Sequence, residues 1–396
     1  MKKYASLIFV SALIVLIIAF SPLLKMNIHQ PNYFSQSFED ALVLDVLEED
    51  LQPDPVVEGR VMGNQKVRLQ VLTGEYKGQV FETENPISTS HNVVAKKGMK
   101  LIAGMSLTEG KPTAWIYNYK SDNILFFMAA AFFVLLYIFG GKKGFKSIVS
   151  LVFTGIVIIF IMLPLIFQGY SPVPVAIFAA ALVSIVSFIL ISGFEKKTYV
   201  AILGTICGVT AAGLISWIAG NLTHLSGVTM ENSEQLLYVA QDYNIKIRGL
   251  MFTSILISSL GAVMDVSMSI ASSTYEIFLA NSKLNPKQLM KAAMNVGQDI
   301  MGTMADTLIL AFAGGSFNLM MLIWGFQMNY RQYLNIPLIK TEIIQSLAGS
   351  IGIVLTVPAT AFFAVTLFKQ SSAIKAAVNT GIKSPVKVSG KRKVSK

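Results

Sequence analysis

Asp265, Asp299 and Asp306 stand in or beside two apolar runs, and they are the residues best placed to do chemistry. Around the first, Ser254, Ser258, Gly261, Ser269 and Ser272 recur at every third or fourth position. That spacing gathers them with Asp265 on one face of an α-helix. Asn295, Asp299, Gly302, Thr303 and Asp306 do the same in the second run. Neither run contains Lys or Arg. A carboxylate near the bilayer centre costs on the order of 3 kcal/mol even on the lenient insertion scale, so such residues should face protein or water. With Ser269, Thr303 and Thr307 beside them, the three acids read as a cation- or proton-binding site. Oxygen ligands suit a hard cation, and close carboxylates carry protons by shifts in pKa. A plainer account has each Asp protonated or bonded to Ser, Thr or backbone of a neighbouring helix. Two acids at matched depth weigh against it. The residue types single out no particular metal, and no cofactor is expected.

The chain around these runs reads as a polytopic membrane protein. Of 396 residues, 53% are hydrophobic and 14% charged, too apolar for a soluble protein of this length. The net charge of +10 is not a nucleic-acid signal, because much of it lies in Lys-rich segments beside apolar runs. Cys207 is the single cysteine, which excludes a disulfide framework and a thiolate metal site within one chain. His29, His91 and His224 fall in separate segments and form no cluster.

In chain order, Lys2 and Lys3 precede an apolar run over 4–20. It is long for a signal-peptide core, and Pro22 would follow the cut, so an uncleaved anchor is favoured. Residues 25–120 are polar and open with an acidic patch from Glu39 to Glu58. Beyond Pro55, alternating stretches at 56–62, 66–72, 78–84, 99–105 and 113–119 predict strands. Gly63-Asn64, Thr73-Gly74, Asn85-Pro86 and Glu109-Gly110 predict turns. The result should be a small OB-like or SH3-like barrel. Its aromatics are too sparse and its acids too frequent for a nucleic-acid platform.

Apolar spans follow at 123–139, 147–167 (interrupted by Pro164), 172–192, 199–219, the two acidic runs, and 343–368. Gly204 and Gly208 let helices approach closely. Gly349, Gly352 and Pro358 are expected bends, and Gly314-Gly315 an expected point of unwinding that would expose carbonyls. A short surface helix is expected near 234–240. Asn285 and Pro286 should cap and open an amphipathic helix that leads into the second acidic run.

The fold class is therefore a bundle of about eight transmembrane helices, with a small extracytoplasmic all-β domain after the first. The expected limits are 1–24 for the anchor, 25–122 for the β domain, 123–368 for seven further helices and 369–396 for a basic tail at anionic headgroups. Lys142-Lys143, Lys196-Lys197, Lys283, Lys287, Lys291 and the tail all fall on one side with both termini. The positive-inside rule makes that side cytoplasmic. Counting from the outer side near Ile247, Asp265 lies about 27 Å along its helix; counting inward from Asp299, Asp306 lies about 10 Å along its own. Both land in the cytoplasmic half, as rungs of a ladder.

These features resemble the YibE/F family of bacterial membrane proteins. The carriers are GAVMDVSMSIASS at 261–273 and NVGQDIMGTMADTLILAFAGGSF at 295–317. GKKG at 141–144, QGYSP at 168–172 and LTGEYKGQ at 72–79 add to them. The domain ahead of the bundle looks like the YibE-type member. The resemblance implies a multipass bacterial membrane protein and, as partner, a YibF-type bundle or a second copy of the chain. It supplies no biochemical activity. From the residues, a transporter or permease for a small ion or solute is the leading reading. The alternative is a scaffold for envelope proteins acting through the β domain, whose acidic patch would suit a basic partner. An enzyme is not expected. The glycine four residues before Asp265 misses the GxGD run of intramembrane aspartyl proteases. Residues 291–297 only partly resemble the loop that docks an ATPase on importer permeases. P-loop, HExxH and GxSxG motifs are absent from the sequence.

Overall fold

The structure, a computed structural model, describes residues 36–108, 110–225 and 245–379, with single positions at 10, 12, 13, 15, 17, 237 and 240. Apart from positions 237 and 240, the expected surface helix at 234–240 lies outside the described residues, as does the last part of the tail. The chain divides into two compact units, Asn27–Phe139 and Met1–Met26 with Gly140–Lys396.

The first unit holds five antiparallel strands: β1 Ser37–Pro53, β2 Val61–Val71, β3 Val80–Ile87, β4 Lys100–Thr108 and β5 Lys111–Tyr119. Their order is β3-β2-β1-β4-β5, which makes a half-barrel. The strand that organises it was not expected. β1 runs through the acidic patch, pairing β4 over its first residues and β2 over Ala41 to Pro53. Two register shifts, at Val43/Asp45 and Val46/Glu48, let one long strand bend across the sheet. Ala41 and Val43 point into the core, while several of the acids find partners within the unit. Glu39 accepts from the Thr73 hydroxyl at 2.7 Å, and Asp45 faces Lys97 at 3.4 Å. Asp40 pairs with Lys120 and holds its ammonium above the usual range.

Three expected features shift for local reasons. Residues 56–60 are a turn, because Asp54 Oδ1 accepts from the backbone of Val56 and Val57 at 2.8 and 3.1 Å. Gly63-Asn64 is not a turn but part of β2; a Cβ at Gly63 would strike the Asp50 backbone. Asn85-Pro86 likewise lies inside β3, where the proline suits a strand end without a partner on its outer side. The interior is closed by an amide network. Gln65, fully buried, accepts from Ala95 N–H at 2.9 Å and donates to Ala95 C=O at 3.1 Å. Buried Asn85 donates to Gln65 and to the Val93 carbonyl. The loop before β4 is thereby bonded as though Gln65 were a strand.

The remaining helices are α1 Asp122–Val157, α2 Leu163–Phe167, α3 Pro172–Ser192, α4 Lys196–Leu222, α5 Ile247–Ala280, α6 Pro286–Gly315, α7 Phe317–Gly325, α8 Tyr330–Tyr333 and α9 Pro337–Asn379. Among the described residues, five helical runs are long and apolar enough to cross a membrane, or six if the bent pair α6–α7 is one span. The expectation of about eight is met only to that extent. The spans expected at 123–139 and 147–167 form one 46-residue run, broken in its dihedral angles at Gly141 (φ 53°, ψ −133°). The N-terminal run is described only at single positions; of these, Val10 and Ile17 are buried in the bundle's core cluster. A π-helical turn, Ile158–Met162, precedes Pro164 and absorbs the interruption that proline imposes. The helix expected to end near 368 continues to Asn379.

The bundle core is built on close approach. Gly204 and Gly208 on α4 leave no room for a Cβ beside Thr360 and Thr356 of α9, and Ala212 fills the space over Gly352. The pairs fall every four residues in opposite directions, so small residues mesh along two antiparallel helices. Both threonine hydroxyls bond back to carbonyls of α9, of Gly352 and Thr356, and so cost nothing unpaired. α9 runs as one helix through Pro358, and Gly349 and Gly352 serve packing against Leu308 and Ala212.

Two outcomes are expected. Gln65→Leu should destabilise the excised β unit, residues 36–120, by about 2–4 kcal/mol in urea unfolding, because the Ala95 N–H and C=O lose their partners. Gly208→Leu should lower the melting temperature of the full-length protein sharply, while Gly261→Leu, with open space around it, should leave it nearly unchanged.

Candidate functional site on the acidic helices

α5 separates its residues by face. Val263, Val266, Ser267, Ile270, Ala271 and Thr274 are buried in the bundle. The polar stripe takes the other side: Ser258, Gly261, Asp265 and Ser269 are exposed, and Ser254 and Ser272 are partly so. α6 does likewise. Leu289, Ala293, Gly297 and Leu308 are buried, while Asn295, Asp299, Gly302, Thr303, Asp306 and Thr307 are exposed. The carboxylates therefore lie on the outer surface of the single chain rather than in the bundle interior. Among the described residues, every buried polar side chain of the bundle is a Ser or Thr.

The packing explains this placement. The interior is filled by aliphatic, aromatic and small side chains with a few hydroxyls, and an ionised acid there would lack donors. No hydrogen bond or ion pair among the described residues engages Asp265, Asp299 or Asp306. The hydroxyls of Thr303 and Thr307 donate to the carbonyls of Ile300 and Thr303 in their own helix, at 3.0 and 2.8 Å. A Cβ placed at Gly261 or Gly302 would meet nothing within 4 Å, so both faces offer small residues and open space together.

The heights of the acids change with the helix limits. α6 is one helix from its cap onward. Asn285 Oδ1 accepts from Gln288 N–H at 2.8 Å, Gln288 Oε1 accepts from Asn285 N–H at 2.9 Å, and Pro286 opens the first turn. The amphipathic segment and the acidic span are thus continuous. From the hairpin end, Asp265 lies about 23 Å along α5, Asp299 about 20 Å along α6 and Asp306 about 30 Å. Asp299 is then the acid nearest in height to Asp265, with Asp306 two turns further out.

At its far end α6 stops at Gly315, and α7 leaves at a bend of 63°. Gly314 and Gly315 thus stand at a true helix break, where unwinding was expected. Ser316 sits in the break and donates to Glu342 Oε2 of α9 at 2.9 Å. Glu342 was not singled out from the sequence, since Lys340 nearby makes it look like a solvated flank. Its position shortly after the helix-opening Pro337, inside an apolar run, was the available signal.

A family model described as YibE/F-like protein matches residues 128–370, more than half of the chain. The chain belongs to the YibE/F family. The match takes in both acidic helices and the break after them, and leaves the β unit outside. No curated protein and no solved structure matches. YibE/F membership and the apolar helices together make this a membrane protein.

Proposed function

We propose that this YibE/F protein is a transporter or permease whose acidic faces on α5 and α6 handle a cation or proton. The observation that carries the reading is the placement of three carboxylates on exposed faces of helices that read as membrane spans. Lipid does not solvate ionised carboxylates, so water, a cation or another protein must cover these faces. The open space at Gly261 and Gly302 favours close approach of a second bundle, either a YibF-type relative or another copy. A path between two bundles would then be lined by Asp265, Asp299, Asp306 and the hydroxyls of Ser269, Thr303 and Thr307.

The topology proposed with it has eight spans and both termini in the cytoplasm. The 46-residue run is about 69 Å long, more than twice a hydrocarbon core of ~30 Å, and supplies two spans. Its break at Gly141 falls in the Lys-rich GKKG segment, where a cytoplasmic turn is needed. The β unit, OB-like in strand order, is then extracytoplasmic.

A scaffold function is the second reading, favoured by one feature. A cleft of about 280 Å³ opens between β3 and β5, the two strands at the ends of the sheet. Glu84, His91, Trp115 and Tyr117 line it, a set able to hold a peptide side chain. Deleting residues 36–120 separates the two, because a transporter should keep some flux and a scaffold none.

Purified protein should bind protons or cations measurably by titration calorimetry. Asp265→Asn, Asp299→Asn and Asp306→Asn should each weaken that binding severalfold or more while inserting and purifying normally. Identical binding in all four proteins would end the transport reading and leave the scaffold ahead. For topology, in a Cys207→Ser background, Ser88→Cys should react with an impermeant thiol reagent in intact cells. Ser389→Cys should react only after permeabilisation, and the reverse pattern would overturn the orientation.

A further inference from the structure

The break between α6 and α7 opens a groove of about 340 Å³, walled by α6, α7, Tyr333 of α8 and α9. Its walls are almost wholly apolar, with Phe312, Met320 and Ile343 among them. Glu342 supplies the one formal charge. It is partly buried, and its only polar partner among the described residues is the Ser316 hydroxyl. No Lys, Arg or His among the described residues lies within ion-pair distance of it. The carboxylate therefore calls for a positive charge in an otherwise hydrocarbon-like space.

The character of that charge follows from the walls. A bare divalent ion wants about six or more oxygens at close range. The groove offers one carboxylate and the hydroxyls of Ser316, Tyr333 and Ser346. Its volume falls within the ~300–1,000 Å³ typical of small-molecule pockets. Phe312 and Tyr333 add aromatic rings, which attract organic cations. We propose that this groove is a binding site for an amphipathic organic cation, with the charged centre at Glu342 and the hydrocarbon body against α7 and α9. The site is separate from the acidic faces of α5 and α6 and does not depend on the reading given to them.

The test uses two probes of nearly the same shape and opposite charge, tetraphenylphosphonium and tetraphenylborate, on the full-length protein in nanodiscs. The phosphonium should bind saturably to the wild type and the borate at least tenfold more weakly. Glu342→Gln should lower phosphonium affinity at least tenfold, and Glu342→Asp should retain part of it. Asp265→Asn should bind the phosphonium like the wild type, even if it loses proton or inorganic-cation binding. No saturable phosphonium binding to the wild type, equal binding of the two probes, or equal affinity in a folded Glu342→Gln protein would each overturn the proposal. The comparison of probes on the wild type decides the matter if Glu342→Gln does not fold.

Discussion

The close approach of α4 to α9 is the contact on which the bundle depends. Gly204, Gly208 and Ala212 on one helix meet Thr360, Thr356 and Gly352 on the other, so the two backbones come together along several turns. In lipid there is no hydrophobic drive to bring helices together, and such contacts rely on dispersion and small residues. α5 and α6 also pack on α9, with Gly297 of α6 pressed against its Val357. A core made this way is dense, and its buried polar side chains among the described residues are Ser and Thr, several of which bond back to their own helices.

That density decides where the acids go. The packed face is spent on Val, Ile, Ala, Ser and Thr in α5 and on Leu, Ala and Gly in α6, and the polar stripe is left on the opposite face. The same helices thus carry two kinds of interface, one that is filled within the chain and one that is not. Gly297 and Gly302, five residues apart on α6, show the contrast: one has no room for a Cβ and the other has open space. The helix break at Ser316 adds a third environment, where a carboxylate meets an apolar groove.

The β unit obeys a different economy. Its small core is supplemented by buried amides. Gln65 and Asn85 replace strand hydrogen bonds along the loop before β4, and the acidic residues of β1 are partly neutralised by Lys97 and Lys120. An acidic patch that reads as a docking surface for a basic partner is in part already matched by bases of its own unit.

The sequence by itself determined the membrane class, the family, most of the long apolar helices, the Asn285 cap with Pro286 after it and the helical faces of the acidic stripes. These rest on local composition and on the 3.6-residue period, which each segment carries alone. It missed β1, because acids interrupt the alternation, and their partners Thr73, Lys97 and Lys120 lie far along the chain. It also broke β2 at Gly63, where the real constraint is the Asp50 backbone across the sheet. Only the tertiary structure decided which face of α5 and α6 is packed. A polar stripe has a direction around its own axis, but whether that direction is inward depends on the neighbours. For the same reason Glu342 became visible only once α6 was seen to break beside it, since a single acid near a helix start acquires meaning from what stands across the groove.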